Sequence, residues 1–384
     1  MSKNIVICCD GTGNDFCDLA LDSNVAKLYS ALTINDMQIA YYHPGVGTLG
    51  DPTIHSKIGR QISRLKGLAF GQGLMANVGD AYRYLMDHYV DGDKIYLIGF
   101  SRGAFTARAL ASLIHVYGLL CAGNHEAIPY ILRMYAAKTK AMRSNHPERA
   151  SLGVEDGFQW QFSHSVPVMI HFAGMWDTVS SYGWVYDPIE LPFLGINPII
   201  EIGRHAVSID ERRCFYQDNL WGDLPRGNPD LPLQDIKQVW FRGVHSDVGG
   251  SYEETGSGLS KITLEWMFVE ASKAGLLLDG PKAETVLGRA NAYPQLKNLP
   301  NYVPPDPQAD LHVSLKKWWW LPEYFPQHDP HLGKKGLYFP RGRMRTIPPG
   351  SWIHESVFKR RSVMSGLPSH EMEPWVTYEP CFTQ

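Results

Sequence analysis

Several things are scarce or missing in this chain, and each absence closes off a class of function. There is no Cys-x-x-Cys pair among the six cysteines, so neither a thioredoxin-like redox motif nor a paired-cysteine zinc site is expected. Cys8 and Cys9 are adjacent in a strand-like run and should point to opposite faces, as reduced core residues. No run of like charge is long enough for a solvated tail, and the formal net charge is only −3. That balance gives no footprint for a nucleic-acid partner. No apolar stretch reaches the length of a membrane span. The longest, residues 109–122, contains His115 and reads as a buried helix. The opening "MSKNIVICCDGTGND" meets Asp10 too soon for a signal peptide. The expectation is a soluble protein, cytoplasmic as synthesised, with no internal repeat and no low-complexity tract.

The chain does have apolar content, 44% of 384 residues, enough for a large core. "NIVICC", "MQIAYYH", "KIYLIGF", "VPVMIHFAGMW" and "IKQVWFRGV" read as buried strands. Helical spacing fills residues 67–89 and 102–119, and "SKITLEWMFVEASKAG" ends at Gly275, a natural helix stop. Short apolar strands alternating with helices predict an α/β fold, a mostly parallel sheet with helices on both faces. Residues 1–280 should form this core, with insertions at about 123–166 and 182–235 forming a cap. Residues 281–384, rich in Pro and aromatics, should pack on the core as an extension.

"DKIYLIGFSRGAFTARALASL" carries Gly-x-Ser-x-Gly at a strand-to-helix junction. The bare pattern arises by chance in roughly one chain in ten of this length. Its placement is the specific signal: a nucleophile elbow needs a strand, a sharp turn and a helix. Ser101 would project its hydroxyl above the sheet edge, and Gly99 and Gly103 would remove side chains that clash in the turn. The alternative is a Gly-flanked Ser capping an ordinary helix.

A serine hydroxyl needs a base, and the base needs an orienting acid. On this architecture the chain order is Ser, acid, His, each after a later strand. Asp177 in "FAGMWDTVSSYG" and His245 in "WFRGVHSDVGGSY" meet both conditions. His354 is the best rival base, and Asp247 and Asp210 are rival acids. His171 lies inside a strand, and His205 sits in a charged, helix-like segment. The N–H of Arg102 is one candidate oxyanion donor, and Gly11 and Thr12 in "CCDGTGND" could supply a second. Asp10 could hold that loop, although Asp, Gly and Asn would equally serve a plain turn.

With these residues in place, the chain resembles the bacterial α/β-hydrolase family typified by type VI secretion phospholipase effectors. The matching pieces are "CCDGTGN", "GLMANVGDAYRYLMDHYVDGDKIYLIGFSRGAFTAR", "WDTVSSYG", "HAVSIDERR" and "VWFRGVHSDVGGSY". The resemblance implies an α/β-hydrolase-like fold, a triad of Ser101, Asp177 and His245, and acyl-ester hydrolysis, often of glycerophospholipids. It also implies export by a specialised secretion system. The expected function is therefore a serine lipase or phospholipase working through an acyl-enzyme. The alternatives are an esterase of soluble or polymeric esters, or a binding module that kept the fold.

Four further signals compete. "GVGTLG" fits a dinucleotide fingerprint, but Asp51-Pro52 interrupts the helix it needs, so a glycine-rich loop near the site mouth is expected. "KKWWWLPEYF" suits transient contact with a membrane surface, yet large aromatics more often pack on a core, and packing is the expectation. "SIDERR" is either a solvated face or a salt-bridge cluster bracing the acid loop, and the cluster is the expectation. Asp10 and Asp247 could approach each other at one sheet edge, but no ligand spacing supports a metal, and the expected chemistry needs neither metal nor cofactor.

Overall fold

The computed structural model describes residues 2–11, 22–45, 72–143, 155–179, 183–184, 187–188, 191–222, 233–295, 300–328, 337–360 and 367–380. Eight strands form one sheet: β1 (Asn4–Cys9), β2 (Gln38–His43), β3 (Lys94–Phe100), β4 (Ile170–Trp176), β5 (Ile200–Ser208), β6 (Asp235–Phe241), β7 (Ser351–His354) and β8 (His370–Glu373). Their spatial order is β8-β7-β6-β5-β4-β3-β1-β2, and every neighbouring pair is parallel. This is an α/β-hydrolase-like architecture.

Burial explains the continuous apolar strands. Ile5, Ile7 and Cys9 of β1 join one core, while Val6 and Cys8 join the other. A strand covered on both faces has no polar side to show, so alternation disappears. The first core packs under α2 (Gln72–His88), α3 (Arg102–Tyr117) and α4 (Ile128–Arg143). The second packs under α1 (Asn24–Ser30), α7 (Gly258–Lys273) and α8 (Gly280–Val286). Cys8 and Cys9 are fully buried, and burial pushes the Cys9 thiol up to about 12, which makes both inert.

Three expectations change. Residues 200–208 are not cap or helix but the central strand β5, between β4 and β6. Arg204 and His205 gave the segment its helical look, and both are satisfied inside the sheet. Arg204 pairs with Glu270 (2.5 Å) and Asp235 (2.6 Å), and His205 with Gln238 (3.2 Å). Second, the described parts of residues 123–166 pack against the helices rather than over Ser101. α5 (Glu155–Phe162) closes on the C-terminal end of α3, where Gln159 donates to the Val116 carbonyl and Ser163 to the Tyr117 carbonyl. Those side chains satisfy carbonyls that a helix end leaves without intrahelical partners. Third, the C-terminal extension contributes β7 and β8 to the main sheet rather than only packing on it.

The helix after Ser101 lies close over β1. A Cβ on Gly103 would fall 2.1 Å from the Cys9 carbonyl oxygen and 2.5 Å from that of Asp10. Gly157 in α5 has open space around it. Gly103→Ala is therefore expected to cost at least about 1–3 kcal/mol of stability. Gly157→Ala should instead add roughly 0.5–1 kcal/mol through helix propensity. Urea unfolding midpoints of the two variants against the parent check this.

Candidate active site

Ser101 sits between β3 and α3 with φ 58° and ψ −123°, a region that non-glycine residues avoid. Such strain costs about 1–3 kcal/mol and persists only where neighbours enforce it. Here the Ser101 N–H donates to the Trp176 carbonyl at the end of β4 (3.0 Å), and the Phe105 N–H to the Ser101 carbonyl (3.2 Å). A Cβ on Gly99 would fall 2.6 Å from Ala104 Cα, so the turn closes only with glycine there.

The hydroxyl donates to His245 Nε2 at 2.7 Å, and His245 Nδ1 donates to Asp177 Oδ2 at 2.6 Å. These roles place the proton on Nδ1 and turn the Nε2 lone pair to Ser101. All three side chains are buried, at C-terminal strand ends along one sheet edge: Ser101 after β3, Asp177 after β4 and, across β5, His245 after β6. His245 opens the short helix α6 (His245–Gly249) and lies between the rings of Phe100 (4.7 Å) and Tyr216 (4.8 Å).

Asp177 accepts more than the histidine. Arg345 reaches it with both terminal nitrogens, Nη1 to Oδ1 at 2.5 Å and Nη2 to Oδ2 at 3.1 Å, and the Ser208 N–H donates to Oδ1 at 2.8 Å. Burial alone would raise this carboxyl. The Arg345 charge and the His245 hydrogen bond outweigh it and hold Asp177 well below the usual carboxylate range. Burial pulls His245 below its ordinary value, opposed by Asp177. No sequence signal singled out Arg345 from its neighbours Arg341 and Arg343 in "PRGRMRTIPP".

The acidic and basic residues of "SIDERR" brace the histidine rather than the acid. Glu211 accepts from the His245 N–H (3.1 Å) and from Arg213 Nη2 (2.9 Å). Burial opposes ionisation there, but Arg213 draws the Glu211 carboxyl down to about 2. Asp210 accepts from Arg242 Nε (2.9 Å) and the Gly243 N–H (2.7 Å), so it is not the orienting acid. Asp247 is occupied as well: it accepts from the Val244 N–H at the start of α6 (3.0 Å) and from His312 Nδ1 (2.6 Å). Asp10 accepts from Tyr42 (2.5 Å), Ser23 (2.7 Å) and the Gly11 N–H (2.6 Å). Asp10 therefore holds the loop after β1, and its bond to the Gly11 N–H takes up the group expected to face an oxyanion. Thr12 and residues 46–50 of "GVGTLG" lie outside the described residues. Arg102 is the first residue of α3, at the helix end where partial positive charge gathers.

The three other histidines weighed from the sequence have structural partners. His354 bonds Ser356 Oγ (2.8 Å) and stacks on Phe241 (4.6 Å), away from Ser101. His171 bonds Glu201 (2.7 Å) and the Ala274 carbonyl (2.9 Å). His205 Nε2 accepts from the Thr178 N–H (3.0 Å), which fixes the backbone beside Asp177. Among the described residues no group of three or more His, Cys, Asp or Glu is arranged to hold a metal ion.

A family model, that of the type VI secretion phospholipase effector Tle1-like catalytic domain, matches residues 3–270. The uncharacterized protein YEL023C of Saccharomyces cerevisiae is 36% identical over 229 residues, 58% of this chain and 33% of that protein. A solved structure of an uncharacterized Pseudomonas aeruginosa protein is 19% identical, with a TM-score of 0.46 over 79% of this chain and 49% of that one. The structure of the Tle1 effector bound to the VgrG spike of the type VI system is 19% identical, with a TM-score of 0.35 over 67% of this chain and 53% of that one. The chain spans about a third of the yeast relative's length and about half that of the two solved chains.

Two outcomes follow from the buried charges. Arg345→Met leaves Asp177 buried without its cation and should cost about 3–5 kcal/mol. The His245 pKa, read by NMR of the ring protons, should rise in that variant, because Asp177 is left to pair with the imidazolium alone. Acid should weaken the fold through His205 and His354, which burial holds down at about 3. Unfolded, both take up protons near about 6.5, so the unfolded state binds more protons between those values. Stability from this source is full above about 6.5 and drains away as pH falls toward 3. Urea titrations across that range should show the slope, and His205→Gln should flatten it.

Proposed function

Because the chain belongs to the family of type VI secretion Tle1-like phospholipase effector catalytic domains, we propose that it is a serine hydrolase cleaving an acyl ester of a glycerophospholipid at Ser101. Membership supports a lipolytic hydrolase. The observation that carries the finer reading is the unbroken chain of two hydrogen bonds, 2.7 Å and 2.6 Å, from Ser101 through His245 to Asp177.

In the proposed reaction, Ser101 Oγ attacks the acyl carbonyl carbon as His245 Nε2 takes the hydroxyl proton. The carbonyl electron pair moves onto oxygen, and the resulting oxyanion lies at the N-terminal end of α3. The Arg102 N–H is a proposed donor there, with the loop at Thr12 as the second. Each such donor contributes about 10²–10³ in turnover. Collapse of the tetrahedral intermediate expels the alcohol portion of the lipid, which leaves with the proton from His245. A water molecule then repeats the sequence: His245 takes its proton, the hydroxide adds to the acyl-enzyme, and Ser101 departs with that proton as the fatty acid is released. Asp177 stays ionised throughout, as its depressed pKa requires, and keeps the imidazole in the Nδ1–H tautomer.

A fluorophosphonate probe should label Ser101 and no other serine, and peptide mapping of the labelled chain checks it. Ser101→Ala should abolish both labelling and ester turnover, and Asp177→Asn should lower turnover by about 10⁴-fold. A folded protein that resists the probe would overturn the reading. Because burial lowers His245, the acid limb of kcat/KM should lie below about pH 6.5, the ordinary histidine value. Comparing nitrophenyl esters of rising chain length with phospholipid vesicles separates a phospholipase from an esterase of soluble substrates.

A further inference from the structure

The stretch "KKWWWLPEYF" does not pack away. Its three tryptophans meet three different fates. Trp318 is 84% exposed. Trp319 leans on Tyr216 at 5.8 Å. Trp320 packs beside Leu315 under Gly342. Leu321, Tyr324, Phe325 and Phe339 are exposed as well. The basic residues Lys316, Lys317, Arg341 and Arg343 are exposed too and form no ion pair with a described residue, and Arg341 lies over the Phe339 ring (5.7 Å). The only acid within residues 314–328 and 337–345 is Glu323, which is fully buried. It is spent on structure, accepting from the Cys214 N–H (2.7 Å) and the Gly342 N–H (2.9 Å). That inward carboxylate ties the two stretches together, and among their described residues no other carboxylate offsets the cations.

This face is continuous with the site. Arg213 lies over the rings of both Tyr216 (3.6 Å) and Trp319 (5.1 Å), and Tyr216 stands against His245. An aromatic path therefore runs from His245 through Tyr216 to Trp319, the sequence neighbour of the exposed Trp318. Residues 314–345 also lie beyond the stretch matched by the family model.

We propose that this aromatic and basic face docks on the surface of an anionic phospholipid bilayer and sets the mouth of the Ser101 site against the lipid. The choice of occupant rests on the phospholipid reading above. Three features favour a bilayer. Indole and phenol rings settle at headgroup depth, with the apolar body inward and the polar tip wet. Each Lys or Arg near an anionic leaflet adds about fivefold in affinity. The whole chain carries a net charge of −3, so attraction to an anionic surface has to come from a local face such as this one.

The test is flotation of the full chain with vesicles of ether-linked phosphatidylcholine, alone or mixed with ether-linked phosphatidylglycerol. Ether links resist hydrolysis, so binding is read without turnover. The parent should float with the mixed vesicles and only weakly with phosphatidylcholine. Lys317→Glu with Arg343→Glu should lower affinity for the mixed vesicles by at least about tenfold. Trp318→Ser with Leu321→Ser should do the same for both lipid compositions. Both double variants should keep the parent's circular dichroism and its turnover of a soluble short-chain nitrophenyl ester. Absence of flotation, or equal flotation of parent and variants, overturns the proposal. So does a dimer in light scattering that Trp318→Ser abolishes, which would make a second copy the occupant. A parent that floats without hydrolysing the soluble ester leaves this surface standing and removes the catalytic reading. One that hydrolyses the ester without floating does the reverse.

Discussion

A carboxylate kept ionised away from water must be met by charge and by hydrogen bonds, or it takes up a proton instead. Asp177 is in that position, and its four contacts draw on distant parts of the chain: the Ser208 N–H at the end of β5, both terminal nitrogens of Arg345, and His245. Its own φ of 39° is held by a bond from its N–H to the Ala206 carbonyl (2.7 Å). Remove the guanidinium and the desolvation cost is no longer offset. The C-terminal segment is therefore part of the site's electrostatics, although the family model ends at residue 270.

The charges around His245 are arranged in pairs. Asp177 faces Arg345, and Glu211 faces Arg213. With the imidazole neutral these two pairs cancel. A proton on the ring leaves one uncompensated positive charge in a buried place, and this is why burial wins over Asp177 and lowers the His245 pKa. A base held neutral in the resting state, beside a carboxylate that can receive the imidazolium when it forms, suits proton transfer from a hydroxyl. Arg345 works against Asp177 here, since a cation bound to the carboxylate weakens its hold on a second cation. In exchange it fixes both oxygens in one orientation.

How much of this was legible depended on how local each signal is. The turn at Ser101 is specified by its immediate neighbours, Gly99 and Gly103, and by a strand and a helix on either side, so a short stretch carries it. Asp177 and His245 were reachable from chain order and from strands that read as apolar runs. β5 was not, because Arg204 and His205 break its apolar pattern, and the partners that make them acceptable in a sheet, Glu270, Asp235 and Gln238, lie dozens of residues away. Nothing local sets Arg345 apart from Arg341 and Arg343, and its role exists only once the fold brings residue 345 to residue 177. The Gly11 N–H failed for a related reason: "CCDGTGND" shows a flexible loop, but not that the Asp10 carboxylate folds back onto it.

What stands over the site also follows from where side chains find partners. The insertion at 123–166 has apolar residues at Ile128, Ile131 and Tyr135, which join the core under α2 and α3. Once committed there, its second helix reaches the far end of α3 and cannot lean over Ser101. Arg108 of α3 is fully buried and reaches the carbonyls of Leu194, Asn219 and Leu220 with no carboxylate among these partners. Burial lowers it to about 9, still charged at neutral pH. It ties residues 194 and 219–220, on either side of β5, to the helix that begins at Ser101. Tyr216 lies in the same stretch, with its carbonyl held by Arg345 at 2.5 Å. Two buried guanidiniums thus anchor the segment whose ring covers His245, one from the helix that follows Ser101 and one from the C-terminal segment. The lining of the site is fixed by the same kind of contact that keeps Asp177 charged.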